Sequence, residues 1–332
     1  MHRNSTEPTT LYRPSNFEVA PRIGPFHEVA PDIAGLRHLI VNVYFIGEPG
    51  SADWTLVDAG MAGSAAPILQ AVEKRFGPGA KPKQILLTHG HFDHVGALRT
   101  LVDLWHVDVF AHPLEMPYLT GRSSYPPPDP TVGGGAMAWL SAFYPKAPTD
   151  LGRLVKPLPT DGSVPGLAEW RWIHTPGHSP GHVSYFRQRD RALIAGDAFV
   201  TTRQESALSV MQQRPEINGP PAYFTPDWRA ARESVKHLAA LNPEMVATGH
   251  GVPLRGERMR QELHQLANNF DDIARPLKGR YVDQPAVANL NGTVSLPPMW
   301  TMRSALIYGG VALAAAAVVS AVIATRDCDS ER

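Results

Sequence analysis

The chain has 332 residues and a single cysteine, Cys328. One thiol cannot close an internal disulfide or build a cysteine-based zinc site, and it lies far from every motif described below. An excess of charge of one sign is also missing. Lysine plus arginine number 31, as do aspartate plus glutamate. No basic surplus marks nucleic acid as a partner, and no acidic block marks a disordered tail. The opening residues, MHRNSTEPTTLYRPSNFEVAPR, hold no apolar run, so no secretory signal is read there. Residues 1–25 are expected to form a polar, mobile arm.

Other residues are abundant. The 32 prolines lack a backbone donor and fix φ, so much of the chain must run as loop, where binding and catalysis concentrate. There are 14 histidines, which leaves imidazole as the main candidate metal ligand. The one long uncharged run is C-terminal: Ala305–Ala324 reads ALIYGGVALAAAAVVSAVIA. Its length suits a helical membrane span over 304–325. Arg303, Arg326 and Asp327 flank it, and 326–332 form a short tail.

Between these ends, short apolar strands alternate with amphipathic helices. His38–Ile46 and Trp54–Val57 read as a hairpin. Ala65–Phe76 has helical spacing, closed by Gly77-Pro78. Gln84–Thr88 is a strand, Ala97–Trp105 a helix and Val107–Ala111 a strand. Trp170–His174, Val183–Phe186, Ala192–Ala195 and Met245–Thr248 are further strands. Asp227–Leu241 and Met259–Ile273 are helices. Met116–Pro148, with YPPPDP and three consecutive glycines, breaks the pattern and is expected to cover a site. Residues 276–303 read as a polar linker.

Histidines and aspartates recur where apolar strands end. QILLT runs into His89-Gly90-His91-Phe92-Asp93-His94, four potential ligands within six residues. A turn after a strand can aim alternate side chains into one pocket, and Gly90 keeps that turn uncrowded. Imidazole and carboxylate together suit a borderline divalent ion such as zinc. His174-Thr175-Pro176-Gly177-His178-Ser179-Pro180-Gly181-His182 forms a second tight turn after a strand. Asp197 follows LIAG, and His250 follows ATG. Singly, each has a plainer explanation: an aspartate after a strand is usually a cap, and a lone histidine usually structural. Their joint occurrence is what points to a metal centre.

The HxHxDH signature, followed by TPGHSPGH, GDAF and TGHG, resembles the metallo-β-lactamase superfamily over about residues 30 to 275. The resemblance implies an αββα four-layer sandwich within a catalytic domain at 26–275. It also implies two divalent metal ions, zinc before iron or manganese. His89, His91 and His178 would hold one ion. Asp93, His94 and His250 would hold the other, and Asp197 would bridge them. Asp58, in LVDAG, would orient a ligand, and His182 would lie beside the site without ligating. Asp93 would be the catalytic proton carrier.

Three functions compete on this scaffold: a binuclear hydrolase of an ester, thioester or lactone, a mononuclear iron oxygenase of the persulfide-dioxygenase type, and a non-catalytic binding protein tethered to a membrane. The full ligand set favours the hydrolase, with a small molecule as substrate. The details resemble the glyoxalase-II-like branch, yet Gly251 stands where glutamate is common there. Met116–Pro148 and Thr201–Tyr223 are expected to wall the pocket, with Tyr125, Trp139, Phe143 and Tyr223 offering aromatic surface. The C-terminal span would tether a cytoplasmic catalytic domain.

Overall fold

The computed structural model describes residues 17–145 and 149–298. Two sheets lie face to face. The larger has eight strands in the order Arg22–Ile23, Phe26–Ala30, Ile33–His38, Val41–Ile46, Thr55–Val57, Gln84–Leu86, Asp108–Ala111 and Val155–Pro157. Its first five strands pair antiparallel and its last four parallel. The smaller has six, in the order Glu18–Val19, Leu254–Arg255, Met245–Thr248, Ala192–Gly196, Val183–Arg187 and Trp170–His174. Within it only Ala192–Gly196 and Met245–Thr248 run parallel.

The period of two along each strand builds the layers. Leu56 and Ile85 point outward to a core with Ile68, Val72 and Phe76 of the helix Ala65–Phe76 and Leu98, Leu101 and Trp105 of the helix Leu98–Trp105. Their neighbours Val57 and Leu86 point inward, against Val183, Tyr185, Ile194 and Ala247 of the other sheet. On the far side Leu193, Ala195 and Val246 meet the helices Trp228–Ala240 and Gly256–Asn268 through Val235, Leu238, Met259 and Leu263. The result is helix, sheet, sheet, helix, with three apolar seams. Each fully buried aliphatic or aromatic side chain contributes roughly 1.5–3 kcal/mol. The Asp227 carboxylate caps its helix by accepting from the Arg229 and Ala230 amides, at 3.1 and 2.9 Å.

Several expectations are corrected. His38–Ile46 is not one strand: Leu39, at φ 57°, turns the chain between Ile33–His38 and Val41–Ile46. The last amphipathic helix starts at Gly256 and breaks at Asn269, before the short helix Phe270–Ile273. Residues 18–23, inside the expected arm, pair with Leu254–Arg255 and Phe26–Ala30. Within the described residues the expected linker carries the hairpin Val287–Asn289/Gly292–Ser295.

The membrane expectation is also corrected. Among the described residues no helix is long and apolar enough to cross a membrane. The stretch 304–325 lies outside the described residues. The transmembrane helix, the membrane anchor and the cytoplasmic domain tethered by it are therefore not supported, and the fold rests on the sandwich alone. Length and lack of charge suggested the span, but alanine dominates that stretch and gains little on leaving water.

Candidate metal centre

All the ligand candidates lie in turns that follow strands, four of them inner strands and one, before His178, the edge strand Trp170–His174. Asp58 follows Thr55–Val57 and sits at φ 61°, a left-handed conformation that a short polar side chain tolerates. Its Oδ1 accepts from the Thr88 amide and its Oδ2 from the Thr88 hydroxyl, both at 2.8 Å. The same Oδ2 accepts from His94 Nδ1 at 2.8 Å. Because the Thr88 hydroxyl donates to Asp58, it accepts from His89 Nδ1 at 3.0 Å. One carboxylate thus fixes the orientation of two imidazoles and leaves both Nε2 atoms facing inward. His250 is fixed the same way, its Nδ1 donating to the Ile40 carbonyl at 2.7 Å.

The inward atoms form three overlapping groups: His89, His91 and His178; His89, His94 and Asp197; and Asp93, His94 and His250. Within each group the ligand atoms lie within 4.8 Å of one another. His178 Nε2 is 2.9 Å from His91 Nδ1 and 3.2 Å from His89 Nε2. Asp197 Oδ2 lies at the junction, 3.4 Å from His178, 3.6 Å from His94 and 3.1 Å from His250, each measured to Nε2. Asp93 Oδ2 is 3.5 Å from His250 Nε2. All seven residues named from the strand ends thus meet in one buried cluster.

The cluster fits divalent ions. His94 Nε2 and Asp197 Oδ1 are buried and have no hydrogen-bond partner, a costly state that an ion would relieve. The backbone also makes room for ligation. A Cβ at Gly249 would stand 2.1 Å from Asp197 Oδ1 and 2.8 Å from His94 Cε1. A Cβ at Gly196, at φ +54°, would meet His182 Nε2 at 2.6 Å. His182 itself points away from the cluster's centre. Its Nε2 accepts from the Asp197 amide at 2.9 Å and its Nδ1 faces the Thr175 hydroxyl at 2.8 Å. His174 is outside the cluster, stacked on His112 at 4.3 Å and bonded to the Pro180 carbonyl.

The two sides of the cluster differ electrostatically. Burial and neighbouring imidazoles push His89 and His178 well below the usual histidine range. His91 is pushed down to about 3 by the same causes. Burial works in the same direction on His94 and His250, yet Asp197 outweighs it and holds both above that range, aided by Asp58 and Asp93 at His94 and by Asp93 at His250. Asp197 in turn, despite its burial, is held far below the carboxylate range by His250 and His94. Three imidazoles thus favour the neutral, ligating form, while Asp197 biases His94 and His250 towards the protonated form that an ion would have to displace.

Sequence reasoning missed Glu115. It is fully buried and takes four hydrogen bonds: Gly90 amide to Oε2 at 2.9 Å, Ser179 hydroxyl and Gly181 amide to Oε1 at 2.8 Å each, and the Tyr125 hydroxyl. This carboxylate ties the HxHxDH turn to the turn that carries His178. Its signal in sequence was only an acid after a strand, in HPLE. Phe224 and Tyr144 were missed as well. Phe224 lies 4.7 Å from the His91 ring and packs on Tyr144 at 5.9 Å. Tyr125 stands 4.6 Å from His91, and Tyr223 is buried. Trp139 and Phe143 do not line the site. They are 65% and 75% exposed and pack on each other.

A sequence profile described as the metallo-beta-lactamase superfamily matches residues 36–250. The chain is 48% identical over 253 residues to the probable metallo-hydrolase YflN of Bacillus subtilis (strain 168), covering 76% of this chain and 96% of that one. It is 34% identical over 154 residues to a hydroxyacylglutathione hydrolase of Rhodopseudomonas palustris (strain HaA2), covering 46% of each. Among solved structures, a beta-lactamase domain protein from Burkholderia ambifaria superposes with a TM-score of 0.53 at 22% identity. That match covers 76% of this chain and 78% of that one, and it shows the shared fold. The sandwich, the cluster at its edge and the profile match across most of the described chain agree: this chain belongs to the metallo-beta-lactamase superfamily.

Proposed function

We propose that this metallo-hydrolase uses two divalent ions to hydrolyse an ester, a thioester or a lactone. The observation that carries this reading is the placement of Asp197 Oδ2 within 3.6 Å of imidazoles from both halves of the cluster. In this reading His89, His91 and His178 hold one ion, Asp93, His94 and His250 hold the other, and Asp197 joins them. Bound there, the ions supply Lewis acidity and bring water towards its neutral-pH ionisation. Zinc is the ion proposed, because imidazole and carboxylate are borderline donors.

The chain's own residues do the rest. Asp58, through Thr88 and directly, keeps His89 and His94 in the ligating orientation. His182 accepts from the Asp197 amide and so fixes the start of that turn. Asp93, 3.5 Å from His250, is the residue assigned to take a proton and return it to the leaving group. The matched part of hydroxyacylglutathione hydrolase is less than half of that protein, so its substrate does not transfer to this chain. Metal analysis of the purified chain, paired with turnover of esters, thioesters and lactones, tests the reading. It expects about two zinc ions per chain and loss of turnover in His91→Ala and Asp197→Ala. One iron per chain, or unchanged turnover in those variants, overturns it.

A further inference from the structure

Side chains along the strand Val41–Ile46 alternate between its two faces. Asn42, Tyr44 and Ile46 therefore share one side. Tyr44 and Ile46 lie in the seam between the two sheets, and Asn42 is buried on the same side. A buried asparagine is costly unless its amide is paired. Asn42 Nδ2 donates to the Thr248 carbonyl at 2.9 Å and to the Gly251 carbonyl at 2.7 Å. Two carbonyls demand two donors, which fixes the orientation of the amide. The Asn42 backbone amide donates to the Gly249 carbonyl at 2.8 Å. The Tyr44 hydroxyl donates to the Thr248 carbonyl as well, at 2.7 Å. Gly35, its partner on the next strand, leaves space for the Tyr44 ring: a Cβ there would meet Tyr44 Cε1 at 2.7 Å. Just ahead of the strand, the Ile40 carbonyl accepts from His250 Nδ1.

These bonds reach across from the larger sheet to the turn that carries His250. The pairing of Met245–Thr248 with Ala192–Gly196 ends at Thr248. Beyond it the turn is otherwise tied to Gly196, Thr201 and Gln204. The HxHxDH turn and the turn carrying His178 are anchored elsewhere, on Asp58 and Glu115. We infer that Asn42, with Tyr44 beside it, is the positioning residue for the His250 half of the centre. It holds His250 where the second ion needs it and leaves the His89, His91 and His178 half to its own anchors. The inference rests on the two-ion reading above and adds the group on which the affinity of one ion depends.

The test titrates the full-length chain, stripped of metal, with zinc against a chromophoric chelator and reads two dissociation constants. The step lost in His250→Ala marks the constant of that half. Asn42→Ala should raise this constant about 10–100-fold and leave the other unchanged. Tyr44→Phe keeps the ring and removes only the hydroxyl. It should raise the same constant about fivefold, and it decides the matter if Asn42→Ala fails to fold. Val109→Ala, in the seam between the larger sheet and its helices, opens a cavity and lowers the melting temperature. Both of its constants should stay at the parent values, which separates positioning from loss of stability. An unchanged His250-side constant in the Asn42 and Tyr44 variants, equal weakening of both ions in them, or the same shift in Val109→Ala overturns the inference and leaves the two-ion reading standing. A parent chain that takes up fewer than two zinc ions sinks both.

Discussion

The turns that carry the ligand candidates and the segment that covers them are held in place differently. Each turn is the direct continuation of a strand, and its side chains or backbone amides are locked by buried hydrogen bonds to Asp58, His182 and Glu115. The cover, from Met116 onward, joins neither sheet among the described residues, and its bridge Thr120 to Asp150 lies outside the strands. Its first turn is anchored in the core by Leu119, and beyond that it is held in part by the stretch expected as a linker. The Tyr281 hydroxyl donates to the Pro127 carbonyl at 2.7 Å, the Arg280 amide donates to Asp129, and Thr293 meets Ser123 and Ser124. The floor is set by the core; past its first turn the cover is strapped on by polar contacts. A change in the floor should therefore act on metal and catalysis, and a change in the strap should act on substrate.

The largest effect should come from the floor. In Gly249→Ala the new methyl collides with Asp197 Oδ1 at the junction of the two halves. Turnover should drop to background and metal content below two per chain, read by elemental analysis. Retention of both would mean that Asp197 does not join the halves. Asp58→Asn comes next. An amide cannot accept from both Thr88 and His94 on the oxygens that a carboxylate offers. Metal affinity should weaken by roughly 10–100-fold, the usual cost of losing such an orienting partner.

Acid should separate the two halves of the floor. His94 and His250 hold their protons above the usual histidine range, whereas His89, His91 and His178 are neutral well below it. Metal must displace the first pair's protons, so its affinity there falls as pH falls through those raised values. Dialysis at stepwise lower pH should remove the ion on the His94/His250 side first, with the His89/His91/His178 ion lost later. Calorimetry in buffers of different ionisation enthalpy should show proton release on loading the second ion. Simultaneous loss of both ions would contradict the difference between the halves.

Glu115→Gln probes the link between floor and cover. One acceptor oxygen becomes a donor facing a donor, at a cost of roughly 1–3 kcal/mol. The melting temperature should fall by several degrees, and the His91 side should bind metal less tightly. The smallest effect should come from the strap. Tyr281→Phe removes one hydrogen bond to the cover, worth about 1 kcal/mol. KM should rise a few-fold while metal content stays at its original level. A fall in metal content instead would mean that strap and floor are one unit.

The same contrast decides what was legible from sequence. The strand-end residues were legible because chemistry restricts them: few residue types ligate a metal, and the apolar runs before them fix where the strands stop. The layers were legible because Leu56 and Val57, or Leu193 and Ile194, alternate with the period of a strand buried on both faces. Glu115 was not legible, since its partners lie at Gly90, Tyr125, Ser179 and Gly181 and no local pattern joins them. Residues 276–298 were read as linker because they are polar and rich in turn formers, yet hydrogen bonds join them to a distant loop. Trp139 and Phe143 show the converse error: aromatic residues in a covering segment suggested a pocket wall, but their rings face solvent.

The most direct measurement is anomalous scattering from crystals of the zinc-loaded chain, collected at the zinc edge. Two peaks flanking Asp197 Oδ2 are predicted, one within ligating distance of His89, His91 and His178 and the other of Asp93, His94 and His250. A single peak that leaves Asp197 uncoordinated, or no peak within reach of His178 and His250, would contradict the account.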